Sequence, residues 1–124
     1  MTSSRWILGT AGALLVLATV LGALGAHALA TRFDAQRLAV YDTAVRYHFY
    51  HALGLLGIGL AARYLDGAVL RAAAWLVLAG VLLFSGSLYA LCFGAPRPLG
   101  IVTPVGGVAL IAGWSLFAIA AWRG

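Results

Sequence analysis

Long apolar stretches alternate along the chain with short segments that carry most of the charged residues. The apolar stretches cover residues 6–29, 47–62, 72–93 and 99–122. Since an α-helix rises about 1.5 Å per residue, about 20 apolar residues reach across the hydrocarbon core of a bilayer. The pattern therefore predicts an all-α integral membrane protein, a single domain over residues 1–124 with four membrane-spanning helices.

The connections between the last three stretches are short. Asp66 and Gly67 lie in the polar segment before the third stretch, and Gly94, Pro96 and Pro98 mark a turn before the fourth. Proline cannot continue a helix, and glycine readily caps one. Because short connections force neighbouring helices to run antiparallel, the predicted fold is an up-down-up-down four-helix bundle.

The connection between the first two stretches is longer and amphipathic. Its apolar positions Leu38, Tyr41 and Val45 are three and four residues apart, which is helical spacing. Asp34 is a candidate N-cap for such a helix. The pattern predicts a short interfacial helix between helices 1 and 2 that leads into the second span.

The composition also places the chain in a membrane. It is 64% hydrophobic and 9% charged, whereas soluble domains are about 25% charged. The net charge of +5 comes from arginines scattered between the apolar stretches, so we predict no nucleic-acid partner. The predicted partners are membrane lipids, with another membrane protein or a homo-oligomer as further candidates. Arginines are equally numerous on the two predicted sides of the membrane, and we expect both termini in the cytoplasm.

Polar side chains of all four predicted helices should meet toward one membrane face. In an antiparallel bundle, the ends of the first and third helices lie beside the starts of the second and fourth. Polar residues at membrane depth usually face the bundle interior and mark functional sites. The sequence therefore predicts one polar pocket, and its candidate members are His27, Tyr47, His48, His51, Ser85, Ser87, Tyr89 and Thr103.

Three hypotheses account for such a pocket. In the first, its members only hydrogen-bond one another and hold the helices together, at about 0.6 kcal/mol a pair. In the second, His27, His48 and His51 bind a metal ion or a haem, since imidazole suits zinc, copper and iron. Only Asp42 and Cys92 could add the usual carboxylate or thiolate, and we predict no metal and no cofactor. In the third, the titratable histidines conduct protons or small solutes, although the second helix is apolar beyond His51.

Small residues and prolines predict how the helices pack. Ala18 and Gly22 are four residues apart and would give the first helix a smooth side. Pro104 should start or kink the fourth helix, and Gly106 and Gly107 should let a neighbouring backbone approach closely.

Tryptophans and glycine motifs add little chemistry. Most tryptophans lie near span ends, as in an interfacial belt, but Trp114 lies within the fourth span. The SGS run at residues 85–87 lacks the second glycine of a nucleophile elbow. The PVGGV run at residues 104–108 lacks the lysine of a phosphate-binding loop. We predict no catalytic residues.

Four segments resemble the signature segments of a known family. They read GALGAHAL at 22–29, YHFYHALGLLG at 47–57, LFSGSLYAL at 83–91 and TPVGGVALIAGW at 103–114. In order and spacing they are similar to the family catalogued as domain of unknown function 423, which comprises small membrane proteins. The resemblance implies four spans in a bacterial inner (cytoplasmic) membrane and no established activity. Its pattern carries over to His27, His51, Ser85, Tyr89, Pro104, Gly106 and Gly107.

The expected function is that of a non-enzymatic scaffold, stabiliser or accessory subunit. The alternative is a ligand-binding or transport protein that uses the pocket around His27, His48 and His51. A metal- or haem-binding protein is the third hypothesis.

Overall fold

The computed structural model describes residues 2–65 and 67–124. The regular structure of this part of the chain is entirely helical. Four α-helices, α1 to α4 in chain order, cover Thr2–Ala26, Ala35–Ala61, Ala68–Cys92 and Val102–Arg123. Two short 3-10 helices, Leu29–Thr31 and Arg97–Ile101, lie in the first and last connections. The predicted all-α class and the number of helices are confirmed.

Hydrogen bonds at opposite ends of the bundle show that α1 and α2 are antiparallel. The Ser4 hydroxyl near the start of α1 donates to the carbonyl oxygen of Gly59 near the end of α2, at 2.8 Å. At the other end, the Tyr41 hydroxyl donates to the carbonyl oxygen of Leu21. The two helices therefore run side by side over most of their length.

The remaining helix pairs follow the same rule. The Ser85 hydroxyl, late in α3, donates to the carbonyl oxygen of Ala44, early in α2, at 2.8 Å. The hydroxyls of Ser87 and Thr103 join the end of α3 to the start of α4. The main contacts are those of α1 with α2, α2 with α3, and α3 with α4, so the bundle has the up-down-up-down order.

The segment predicted as a separate interfacial helix is the first part of α2. Asp34 caps this helix as expected, because its side chain accepts a hydrogen bond from the backbone N–H of Arg37 at 2.8 Å. An exposed ion pair between Asp42 and Arg46, at 2.9 Å, follows two turns later. No cap or break interrupts the helix before Ala61, and the polar segment therefore joins the apolar one without a turn.

Three of the described helices are long and apolar enough to cross a membrane. These segments are Ser3–Ala26, Ala68–Cys92 and Arg97–Arg123. Helix α2 is as long as the others, but charged residues lie in its N-terminal half. The predicted second span, residues 47–62, coincides with the apolar half of α2 and the residue after it.

The core lies along α3, which is buried between α2 and α4. Its residues Val77 and Val81 pack with Leu55 and Ile58 of α2, Ile7 of α1 and, from α4, Leu110. A second, smaller cluster surrounds Tyr41 at the charged end of the bundle. Burial of α3 on two sides makes it the central element of the fold.

Glycines set the close approach of α3 and α4. A Cβ atom on Gly106 would overlap the backbone nitrogen of Phe84, and one on Gly113 would lie 2.8 Å from Cγ2 of Val77. From the α3 side, a Cβ on Gly80 would lie 2.9 Å from the backbone nitrogen of Leu110. At Gly106 the α3 backbone thus leaves no room for a side chain, and the facing helix leaves none at Gly80 and Gly113, which the sequence pattern did not single out.

The other packing predictions have different outcomes. At Gly22 and Gly107 an added Cβ would make ordinary contacts of 3.5 Å and 3.9 Å, so neither position requires glycine for packing. Ala18 is fully buried as expected. Pro104 is the third residue of α4, where its missing N–H breaks no helical hydrogen bond. It therefore belongs to the start of the helix.

Candidate functional site

The predicted members of the polar pocket lie in four places. Three groups each join two helices, and one residue lies apart. The group between α2 and α3 consists of His48, Ser85 and Tyr89. The group beside α4 consists of Tyr47 and His51, and the pair that joins α3 to α4 is Ser87 with Thr103. The residue that lies apart is His27, which is exposed beyond the end of α1. The structure therefore does not form the single pocket that the sequence predicts.

His27 does not approach the other two histidines in the way a metal site would require. Helix α1 ends at Ala26, so His27 lies in the following turn and is exposed. Within residues 2–65 and 67–124, no three His, Cys, Asp or Glu side chains are grouped so as to hold a metal ion. The weak candidate metal ligands His27, His48 and His51 are thus not brought together.

His48 belongs to a tightly packed group between α2 and α3. Its Nδ1 lies 2.9 Å from the Tyr89 hydroxyl, and the two rings meet edge to face with centroids 5.9 Å apart. The side chain is only 5% exposed. Its Nε2 is buried and forms no hydrogen bond with the described residues. A cavity of about 140 Å³ adjoins this group.

Tyr41 extends the same group toward the charged end of the bundle. Its ring lies edge to face with that of Tyr89, with centroids 5.6 Å apart. Gly25 of α1 makes room for it, since a Cβ there would lie 2.6 Å from Cε2 of Tyr41. Tyr41 precedes the second span, and burial raises the pKa of its phenol, so the hydroxyl stays protonated and donates to Leu21. The sequence signal for this contact was Gly25 on α1, because a glycine leaves room for a large side chain such as Tyr41 on the next helix.

His51 makes a different contact, with α4. The Trp114 indole Nε1 donates to Nδ1 of His51 at 3.1 Å. An indole N–H can only donate, so Nδ1 must be the acceptor and the ring proton must be on Nε2. His51 is therefore a neutral imidazole in this arrangement. Gly54, one turn further along α2, leaves room for the six-membered ring of Trp114.

This pair lies near the middle of the bundle and not at one end. Gly113, next to Trp114, packs against Val77. Val77 is three residues from the midpoint of α3, and Trp114 is close to the midpoint of α4. The prediction that all the histidines lie at one membrane face is therefore wrong for His51. Trp114, which the sequence shows as an exception to the interfacial belt, is the partner that holds it.

An open cleft of about 620 Å³ lies beside this pair. We call it the His51 cleft, and it is bounded by α2, α3 and α4. Its walls are apolar and aromatic, and Ile111 at its edge is 69% exposed, so the cleft opens toward lipid. The residues that line it are Tyr47, His51, Phe84, Gly107, Leu110, Ile111, Trp114, Ser115 and Ala118.

These features define the class of the protein: a small α-helical membrane protein whose helices are joined by hydrogen bonds between polar side chains. Comparison with known sequences agrees. The chain belongs to the family described as protein of unknown function (DUF423), whose model matches residues 21–107. The resemblance found in the sequence is thereby confirmed.

Relatives in three bacteria match nearly the full chain. It is 47% identical over 116 residues to the UPF0382 membrane protein YwdK of Bacillus subtilis, which covers 93% of each chain. It is 38% identical over 104 residues to a UPF0382 membrane protein of Haemophilus influenzae, covering 83% of this chain and 82% of that one. It is 35% identical over 121 residues to the UPF0382 inner membrane protein YgdD of Escherichia coli, covering 98% and 92%. No solved structure matches.

Proposed function

We propose that the protein is a non-enzymatic accessory or scaffold subunit of the membrane. The observation that carries this proposal is that polar side chains form hydrogen bonds with one another between helices. Hydroxyl, imidazole and indole groups that could have formed a reactive centre are hydrogen-bonded between helices, in the pairs His48 with Tyr89, His51 with Trp114 and Ser87 with Thr103.

Such pairs fit a structural role better than a catalytic one. Hydrogen bonds between membrane helices contribute about 0.6 kcal/mol each, which is enough, summed over several pairs, to fix the register of a small bundle. Nucleophilic catalysis would need a nucleophile within hydrogen-bond reach of a base. The serine hydroxyls of α3 instead bond a backbone carbonyl and a threonine hydroxyl.

The outer faces of α1 and α4 are the surfaces available to a partner. On α1, Val16 and Val20 are 65% and 56% exposed, and on α4, Val108 is 66% exposed. These faces are smooth and apolar, and small or branched apolar side chains are typical of contacts between membrane helices. They would lie against lipid in the isolated protein and against another membrane protein in an assembly.

We further propose a bacterial inner-membrane location with four crossings. Helix α2 runs beside α1 and α3 from one end of the bundle to the other, which supports it as the fourth crossing. An even number of crossings places both termini on one side, and we propose the cytoplasmic side. Green fluorescent protein fused to the C-terminus should fluoresce, while an alkaline phosphatase fusion should be inactive; an active phosphatase would reverse the orientation.

The accessory role is tested by crosslinking from the outer faces. A photoreactive amino acid at position 16 or 108 should give one crosslinked product with a defined membrane protein, and the same amino acid at the buried position 55 should not. Purification through that partner should then recover the two chains in a fixed ratio. Reconstituted chain alone that moves a solute or turns over a substrate would contradict the proposal.

The alternative of one three-histidine pocket for ligand binding or transport has less support. His27 is exposed beyond the end of α1, and His48 and His51 face different neighbours. A path through the bundle would also need polar groups beyond His51, where α2 is apolar.

A further inference from the structure

The His51 ring has one hydrogen-bonding group left over. Among the described residues, its hydrogen bond is the one that Nδ1 accepts from Trp114. Nε2 therefore carries a proton and donates to none of these residues. The Tyr47 ring, whose centroid lies 6.0 Å from that of His51, likewise has a hydroxyl without a described partner, and both side chains line the His51 cleft. A donor left unpaired in hydrocarbon costs several kcal/mol, so the cleft favours an occupant with an acceptor oxygen.

The depth of the cleft limits what that occupant can be. The His51–Trp114 pair lies near the midpoints of α3 and α4, and the hydrocarbon core extends about 15 Å on either side of the bilayer midplane. The ester oxygens of phospholipids lie at the headgroup boundary, toward the exposed Asp42–Arg46 ion pair, and Arg46 is five residues, about 7.5 Å along the helix, from His51. A molecule that dissolves in the core can bring an acceptor to His51 from the lipid side of the cleft without leaving the hydrocarbon.

The walls of the cleft indicate the shape of that molecule. Phe84, Trp114 and Tyr47 supply aromatic rings, and the Tyr47 and Phe84 centroids are 4.9 Å apart. Aromatic rings pack favourably against other flat rings. The volume of about 620 Å³ is within the range of sites for small molecules, about 300 to 1,000 Å³. Opening of the cleft toward lipid at Ile111 leaves an exit for an apolar tail.

We propose that the His51 cleft binds a lipid-soluble quinone, with one ring carbonyl accepting the hydrogen bond from Nε2–H of His51. The flat ring lies among the aromatic side chains and the apolar tail leaves between α2 and α4. Binding requires no electron transfer. It also does not depend on the accessory role, because the isolated chain contains every residue of the cleft.

The test measures binding of a tritium-labelled decyl-substituted benzoquinone to the purified chain in phosphatidylcholine nanodiscs, with empty nanodiscs as the baseline. We expect saturable binding of one quinone per chain. The His51→Leu variant loses the donor and should bind about tenfold more weakly. The His51→Gln variant should bind within about threefold of the original chain, because a Gln amide can both accept from Trp114 and donate to the quinone.

Two further variants separate the site from general effects. Ala118 is exposed at the edge of the cleft, and Ala118→Phe should block binding while leaving the thermal stability of the bundle unchanged. If His51→Leu fails to fold, Ala118→Phe still tests whether the quinone binds in the His51 cleft. His27→Leu removes a histidine outside the cleft and should bind as the original chain does.

Other results overturn the proposal. Binding that does not saturate, or that is equal in His51→Leu and Ala118→Phe, would show partition into lipid only. Phospholipid retained by the chain in place of quinone would identify a lipid groove. Disulfide-linked dimers of an Ala118→Cys variant in nanodiscs would identify the cleft as a contact between two copies. Failure of the crosslinking experiment from positions 16 and 108 would leave the quinone result unaffected, so the two proposals fail separately.

Discussion

His48 and His51 are three residues apart on one helix, yet they belong to two regions of different character. The His48 region, made of His48, Tyr89, Ser85 and Tyr41, is buried and closely packed. The His51 region is half-buried and faces an open cleft. His48 fills an interface in which its own Nε2 is also without a described partner, whereas His51 lies beside an open cleft with its Nε2–H unpaired among the described residues. The same side chain thus has different roles depending on how closely the neighbouring helix approaches.

The two regions differ because α4 approaches α3 and not α2. Glycines at positions 80, 106 and 113 let the α3 and α4 backbones come together. The indole of Trp114 then bridges from α4 to α2, with the cleft beside it. Any change that moves α4 should therefore alter the His51 region and spare the His48 region.

The largest expected effect comes from separating α4 from α3. Gly106→Ala places a methyl group against the Phe84 backbone, and overpacking of this kind costs about 3 kcal/mol in the free energy of unfolding. Fluorine NMR of 5-fluorotryptophan-labelled protein should show the Trp114 signal move, while those of the stacked pair Trp6 and Trp75 stay in place.

Gly107→Ala is the matched control for this substitution. Its methyl group would make an ordinary contact with Phe84, so the unfolding free energy should be unchanged or slightly higher, since alanine favours a helix over glycine. Equal losses at positions 106 and 107 would show that the approach of α4 to α3 does not depend on Gly106.

A smaller effect distinguishes the two histidines directly. His48→Ala leaves a cavity in a packed interface and should lower the unfolding free energy by about 2 kcal/mol. His51→Ala enlarges a cleft that is already open and should cost less than about 1 kcal/mol, mostly the lost Trp114 hydrogen bond. Thermal unfolding in one detergent measures both. If His51→Ala were the more costly change, the assignment of the two roles would be reversed.

The smallest effect tests the charged end of the His48 region through pH. Tyr41→Phe removes the hydrogen bond to Leu21 and should cost about 1 kcal/mol at neutral pH. The folded state raises the pKa of Tyr41 above its ordinary value of 10.0, so this stabilisation is present below pH 10 and decreases as the pH rises further. The difference in stability between the original chain and Tyr41→Phe should therefore shrink as the pH rises above 10.

Tyr64→Phe serves as the control for the pH experiment. Tyr64 is 88% exposed at the opposite end of the bundle, and its replacement should leave the stability at neutral pH unchanged. A constant difference for Tyr41→Phe across this pH range would show that the phenol is not held in its protonated form.

Hydrophobic pattern alone was enough to predict the four helices and their antiparallel order. Runs of apolar residues can only be accommodated in a bilayer as helices, since each helix satisfies its own backbone. Local signals also agreed with the structure, as with Asp34 at the start of α2 and Pro104 in the first turn of α4. Both residues suit a helix start because the first N–H groups of a helix have no partner within it. The segment before the second span was predicted as a short interfacial helix that leads into that span. In the structure it is the first part of α2, since nothing in the sequence ends the helix where the polarity changes.

The positions of the polar side chains around each helix could not be predicted in the same way. Residues three apart point in directions about 60° from each other around an α-helix, at 100° per residue. That angle is small enough to suggest a shared face for His48 and His51. It is also large enough for the two rings to meet different helices, His48 facing Tyr89 of α3 and His51 facing Trp114 of α4.

The sequence by itself determined that this chain is a membrane-embedded bundle of four helices, and which polar residues lie toward the same end of it, except that His51 lies nearer the middle. Only the tertiary structure decided which of them touch. Level depends on chain length and polarity, which are local properties. Contact depends on how closely each pair of helices approaches, and that is set by glycines on two different helices, Gly80 facing Leu110 and Gly106 facing Phe84, whose pairing no single stretch of sequence reveals.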